Sequence, residues 1–214
     1  MTWRPDYATT AELKAQVGIP LADTQDDANL GLCITTASRA IDQCCNRQFG
    51  SEASPVARYY TYDARVRVGN LIALAIDDLM TTSGLLVATD FAQDHTYSSS
   101  LVYSTNFDLW PWNAPADGMP YTHLVLRSGT AVVSSLLPYW EGAVRVTAQW
   151  GWTSVPSAIK EATLIQAARF FKRKDAPFGV AGSPEMGSEL RLLQKLDPDV
   201  AVMVSPYRRR WGAV

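Results

Sequence analysis

The stretch Val144-Arg145-Val146-Thr147-Ala148-Gln149-Trp150-Gly151-Trp152, followed by Pro156-Ser157-Ala158-Ile159-Lys160, decides the fold. In its first half Val144, Val146 and Ala148 point one way, and Arg145, Thr147 and Gln149 the other. That is the pattern of an antiparallel strand with one face in a core. In its second half Pro156 suits a first helical position. Residues 157–174 then carry Ala158, Ile159, Ala162, Leu164, Ile165, Ala167, Ala168, Phe170 and Phe171 over a wide arc, which predicts a helix packed on more than one side. The period changes from 2 to 3.6 within a few residues, so a β region ends here and a helical one begins.

Upstream, residues 55–152 show almost no helical period. Strands are expected at 57–62, 71–76, 85–89, 96–103, 122–127 and 142–150, separated by turn residues such as Ser83-Gly84, Asp117-Gly118 and Ser128-Gly129. Trp110-Pro111-Trp112-Asn113-Ala114-Pro115 reads as an exposed loop, because proline cannot serve a regular ladder. Before the β region, 9–17 is a short helix with Thr9 and Glu12 at capping-box spacing and Gly18 as its stop. A longer helix follows at 24–47. Leu30, Ile34, Ala37, Ile41 and Cys44 or Cys45 form its stripe, and Gly50 and Ser51 close it.

Downstream, Lys172, Arg173 and Lys174 complement the negative end of the 157–174 helix. A short helix is expected at 188–196, ended by Asp197-Pro198, and after it an extended tail. The organisation is therefore α+β. A helical core of about four helices comes from 1–54 and 153–197, an antiparallel β domain is inserted at 55–152, and a tail occupies 198–214.

Composition narrows the function. Of 214 residues 47% are hydrophobic and 19% charged, with seven Trp and nine Tyr. Such aromatics suit either a core or the interfaces with neighbouring subunits. A net charge of −2 excludes a molecule that binds nucleic acid through its overall charge. From Lys160 onward, however, ten basic residues face six acidic ones, so a basic end follows an acidic body. Complementary surfaces of this kind suit head-to-tail contacts. Cys33, Cys44 and Cys45 fall in one helix and offer no disulfide framework, as expected of reduced thiols in a protein made in the cytoplasm. No apolar run reaches membrane-spanning length, and no secretory signal pattern opens the chain.

No catalytic or cofactor pattern appears: neither a Walker A loop, nor GxGxxG, nor a G-x-S-x-G elbow. His95 and His123 lie in strand-like surroundings without partners at metal-ligand spacing. Asp77-Asp78 reads as a turn after Ile76 rather than a metal site, since adjacent strand side chains point apart. No cofactor or metal is expected, nor an enzyme. The basic runs remain. Lys172, Arg173 and Lys174 read first as a solvated helix end; with Phe170 and Phe171 they are also candidates for a channel or subunit interface. Tyr207, Arg208, Arg209, Arg210 and Trp211 make a good docking peptide, because arginine pairs bidentately and aromatics anchor contacts.

Several segments resemble a known family. Ala37-Ser38-Arg39-Ala40-Ile41-Asp42 with Cys45-Asn46-Arg47-Gln48-Phe49 resembles the second helix of head–tail connector proteins of tailed bacteriophages. Val146 to Trp152 followed by Val155-Pro156-Ser157-Ala158-Ile159-Lys160 is similar to the return from their β insertion. Ala168-Arg169-Phe170-Phe171-Lys172-Arg173-Lys174-Asp175-Ala176-Pro177-Phe178-Gly179 and Pro206-Tyr207-Arg208-Arg209-Arg210-Trp211 resemble adaptors of long-tailed phages of actinobacteria. The resemblance spans nearly the whole chain. It implies a virion protein of the neck, made in the host cytoplasm, which forms a ring, commonly of twelve copies, under the portal. Its partners would be the portal protein, copies of itself, the next head-completion or tail protein, and genomic DNA passing through without sequence recognition. The C-terminal segment would grip the portal. The rival readings are a nucleic-acid-binding module with the basic end as its footprint, or another head- or tail-completion protein.

Overall fold

The computed structural model describes residues 3–127, 137, 138, 140–175 and 197–209. The two kinds of period in the sequence separate into two compact units, one helical (Arg4–Phe49 with Val155–Arg209) and one β (Gly50–Ser154 with Trp3).

In the helical unit, α1 spans Thr10–Val17 and starts where Thr9 and Glu12 predict. The Glu12 amide donates to Thr9 Oγ1 and the Thr9 amide to Glu12 Oε2 (2.9 Å), a complete capping box. Gly18 ends the helix at φ 79°, where a side chain would be strained. Helix α2, Asp27–Cys45, buries Leu30, Ile34, Ala37, Ile41 and Cys45 along one stripe. It stops at Asn46 in the left-handed region (φ 51°), earlier than the expected closure at Gly50 and Ser51. Helix α3 spans Ser157–Lys172, with Pro156 at its cap rather than inside it, and a 3₁₀ turn at Arg173–Asp175 follows. Its broad apolar arc is met by α1 and α2 within the unit. Leu13, Leu30, Ile34 and Ala37 pack with Leu164 and Ala167.

The largest correction concerns the segment after Asp197. Asp197-Pro198 does not end a helix; it begins one. Asp197 accepts the Asp199 amide (3.0 Å), Pro198 occupies the first turn, and α4 runs over Pro198–Val204 before a 3₁₀ turn at Ser205–Tyr207. Val200 and Val204, one turn apart, are fully buried, and α4 packs on α3 and α2. The expected extended tail is therefore helical over its first ten residues. The helix expected at 188–196 lies outside the described residues.

Among the described residues the β unit holds two four-stranded antiparallel sheets. In chain order the strands are β1 (Val56–Tyr60), β2 (Arg67–Val68), β3 (Leu71–Leu79), β4 (Leu86–Thr89), β5 (Ser99–Leu101), β6 (Phe107–Trp110), β7 (Tyr121–Leu126) and β8 (Val144–Ala148). One sheet has the order β1-β8-β4-β5, the other β2-β3-β7-β6. Val144, Val146 and Ala148 of β8 are buried, as the alternation predicts, with Leu74, Ile76, Phe107, Leu124 and Trp150 in a shared core. An apolar void of about 10 Å³ among Leu74, Val87, Phe107 and Val144 has room for no more than one water.

Four local expectations change. Strands β2 and β6 were not anticipated. The strand expected at 96–103 is only Ser99–Leu101, and His95 sits in a loop at φ 61°. Trp110 belongs to β6, although 111–120 is a loop with Trp112 exposed. No turn follows Ile76: β3 continues through Asp77 and Asp78 to Leu79, with a register shift between Ala75 and Leu79. The acids are tolerated there because each has partners, described below.

Candidate functional site

The tail residues are drawn onto the end of α2. Tyr207 meets Phe49 edge-on, ring centres 5.9 Å apart, and Phe49 meets Tyr7 the same way at 5.7 Å. The Arg209 amide donates to the Cys45 carbonyl at 2.7 Å, satisfying one of the carbonyls that a helix end leaves free. Asn46 Nδ2 reaches the Arg209 carbonyl at 3.5 Å, and Arg208 Nη2 lies 3.2 Å from Cys44 Sγ. Beneath them Cys45 is buried, which pushes its thiol up to about 12, with Cys44 adding to the effect. Burial of this kind favours the protonated thiol over the reactive thiolate. Through this segment the residues alternate. Tyr207 is half-buried on Phe49, Arg208 is exposed, and Arg209 is buried. Arg210 and Trp211 lie outside the described residues.

The second predicted group lies elsewhere. Lys174 Nζ is 2.8 Å from both carboxylate oxygens of Asp26 and 4.5 Å from the Phe171 ring centre. It ties the end of α3 to the start of α2. Phe170 and Phe171 are half-buried and pack against the helical core, whereas Lys172 and Arg173 are exposed. Tyr207 to Arg209 gather at one end of α2 and Lys174 at the other. Nineteen residues separate those ends, about 28 Å of helix. The two predicted groups therefore do not form one site.

Three polar networks went unnoticed in the sequence. In the helical unit, Tyr7 donates its hydroxyl to Asp42 and accepts the Phe49 amide at 2.9 Å. Arg39 Nε pairs with Asp42 (3.2 Å) while its terminal nitrogens donate to the Arg4 and Pro5 carbonyls. Burial pushes both the Tyr7 hydroxyl and the Asp42 carboxyl above their ordinary ranges; for Asp42 the Tyr7 hydrogen bond and Arg39 oppose the rise. Lys14, buried, spans the α1–α2 turn: Nζ reaches the Asp23 carbonyl at 2.6 Å, the Leu21 carbonyl at 3.4 Å and Asp27 at 2.5 Å. In the β unit, Arg58 lies over Trp3 (3.9 Å) and near the Trp150 ring (5.1 Å), paired with Asp77 at 2.7 Å and Glu52 at 3.2 Å. Asp77 also accepts the Tyr60 hydroxyl, and buried Asp78 accepts the Trp152 indole N–H at 3.1 Å. The i,i+3 spacing of Arg39 and Asp42 is a helical signal; the other partners, such as Glu52 and Arg58 six residues apart and Asp78 and Trp152 74 apart, share no helical or strand period.

These acids hold the fold together, and nothing in their arrangement marks a reacting centre. His123 Nδ1 is 2.9 Å from the Thr122 hydroxyl, and the His95 ring lies edge-on to Trp140. Among the described residues no three His, Cys, Asp or Glu side chains gather as metal ligands, and no helix is long and apolar enough to cross a membrane.

No protein-family model matches the chain, and no curated protein matches it either. Solved structures do. The fold corresponds over 100% of this chain and 96% of the other to a protein in the neck of an empty gene transfer agent particle, computed with C6 symmetry (TM-score 0.54, 17% identity). It corresponds equally far to a protein in the virion of a native gene transfer agent particle (TM-score 0.54, 20% identity). At these identities the likeness is one of fold.

Proposed function

We propose that the chain is a structural protein of the neck of a tailed phage or phage-like particle, and not an enzyme. In this reading it is an adaptor that assembles as a ring beneath the portal, lengthens the DNA channel and gives the next head-completion or tail protein a platform. The observation that carries it is the end-to-end likeness of fold to a gene transfer agent neck protein. The connector-like motifs of the sequence support the same reading independently. Self-assembly is supported by large apolar side chains left at the surface of the helical unit: Leu21, Leu32 (68% exposed) and Val202 (73% exposed). Twelve copies would be a multiple of the C6 symmetry used for the neighbour's neck.

Portal docking is assigned to the segment that bears Tyr207, Arg208, Arg209, Arg210 and Trp211, with Arg208 outward-facing among the described ones. Lys172 and Arg173, free of the Asp26 contact that holds Lys174, are assigned to the channel or to a neighbouring copy. The test is to offer the purified chain both the portal of its own particle and a DNA duplex of arbitrary sequence. A stable portal complex, with DNA binding that is absent at physiological salt, is expected. Steeply salt-dependent DNA binding without portal association would instead establish the nucleic-acid-binding alternative.

A further inference from the structure

We infer that Tyr207 and Arg209 are not themselves contacts to the portal but positioning residues, a root that holds the segment up to Arg209 on the end of α2, with Arg208 the cation presented outward. The inference rests on the docking reading proposed above. Its geometry lies wholly in the described residues. Val204 is fully buried, and its carbonyl lies 3.9 Å from Cys45 Sγ. Tyr207 seats on Phe49, the Arg209 amide is bound to the Cys45 carbonyl, and the Arg209 carbonyl faces Asn46. Arg209 is 8% exposed, too little to be a portal contact without leaving its place. Arg208, between them, is exposed; its amide donates to the Ser205 carbonyl at 3.3 Å, and its guanidinium meets the Cys44 sulfur, a weak acceptor. The chain is therefore held in place as far as Arg209.

A root of this kind matters for binding because it has already removed the freedom that a loose peptide would lose on docking. Releasing even one residue's backbone changes affinity by about tenfold. The partner surface implied is acidic, because the group offered to it is a guanidinium, and on a protein surface the groups that pair with it bidentately are carboxylates.

The experiment compares four full-length or near-full-length forms for affinity to the portal ring of the same particle: the parent, a chain ending at Arg209, Tyr207→Ala and Tyr207→Phe. Amide hydrogen exchange at Arg209 reports the root itself, and circular dichroism reports the fold. The expected result is loss of binding on truncation and about tenfold weaker binding for Tyr207→Ala, with faster exchange at Arg209 and unchanged helix content. Tyr207→Phe, which keeps the ring edge on Phe49, should bind like the parent. If truncation abolishes binding while Tyr207→Ala binds like the parent despite faster exchange at Arg209, the root plays no part, and the docking reading survives alone. If the truncated chain binds as well as the parent, the docking reading fails and this inference with it. Should Tyr207→Ala lose helix content, Asn46→Gly, which removes the contact to the Arg209 carbonyl while tolerating the left-handed cap at φ 51°, replaces it. A binding change tracking Arg209 exchange supports the root, and parent-like binding with faster exchange overturns it.

Discussion

Gly151 passes so close to Gly50 that a β-carbon on Gly151 would stand 2.0 Å from the Gly50 carbonyl oxygen. Here the chain entering the β unit and the chain leaving it run side by side. Trp152 donates to the Gly50 carbonyl at 2.8 Å, Glu52 to the Trp150 carbonyl at 2.9 Å, and Gly151 to the Asp78 carbonyl at 2.7 Å. Gly151 also has φ 103°, a region that residues with side chains avoid. The crossing is thus specified by one glycine and braced by the Asp78–Trp152 bond.

Gly151→Ala should accordingly cost about 3 kcal/mol or more, since it adds both a backbone clash and a strained φ. Gly18→Ala is the control. It has a similar sign of φ but open space around it, and should cost about 1 kcal/mol. Urea unfolding of the two variants checks the difference. Equal costs would show that the close approach to Gly50 is relieved by a small shift.

Lys14→Met should destabilise the helical unit by about 2 kcal/mol. It strips two turn carbonyls and Asp27 of their cation, although Asp27 is partly exposed and water offsets some of the loss. Chemical denaturation measures this. A stability equal to the parent's would mean that water replaces the ammonium without loss.

Helix α1 should weaken in acid. The Lys160 ammonium, followed by the Thr9 amide, holds the Glu12 carboxyl below its ordinary value of 4.5. A lowered folded pKa adds stability that is present above the unfolded pKa and is lost as pH falls through the folded one. Both partners are substantially exposed, so the effect is below about 1 kcal/mol. Glu12→Gln keeps an acceptor for Thr9 but removes the charge. Its stability should change less than the parent's between neutral pH and about pH 3, as followed by urea unfolding at each pH. An identical pH profile in the two proteins would rule Glu12 out as the source.

The helices were legible wherever their signals were local. Thr9, Glu12 and Gly18 bound α1 as expected, and the Leu30-to-Cys45 stripe and the Ala158-to-Phe171 arc mark α2 and α3. Asp197-Pro198 is ambiguous in the sequence because aspartate before proline serves equally as a stop and as a cap followed by a first-turn residue. Only the burial of Val200 and Val204 against distant helices decides between them. Asp77 and Asp78 looked like a turn because their partners, Arg58 and Trp152, lie far away in sequence. The same reason hid the root of the tail. Phe49 and Cys45 precede Tyr207 and Arg209 by more than 150 residues, and no periodicity connects them.

That root also sharpens the mutational test of docking. Reversing all of Arg208, Arg209 and Arg210 would disturb a buried residue, because Arg209 belongs to the fold. Arg208→Glu is the cleaner change. It should leave thermal unfolding within about 0.5 kcal/mol of the parent and weaken portal binding at least tenfold, read by co-sedimentation. Unimpaired sedimentation with the portal would remove Arg208 from the interface.

The most direct test of the neck assignment is the mass of the purified chain by light scattering, alone and mixed with the portal of its particle, followed by imaging of the mixture. The account predicts either a ring from the outset or a monomer that becomes a ring on the portal. A chain that stays monomeric and ignores the portal would contradict it.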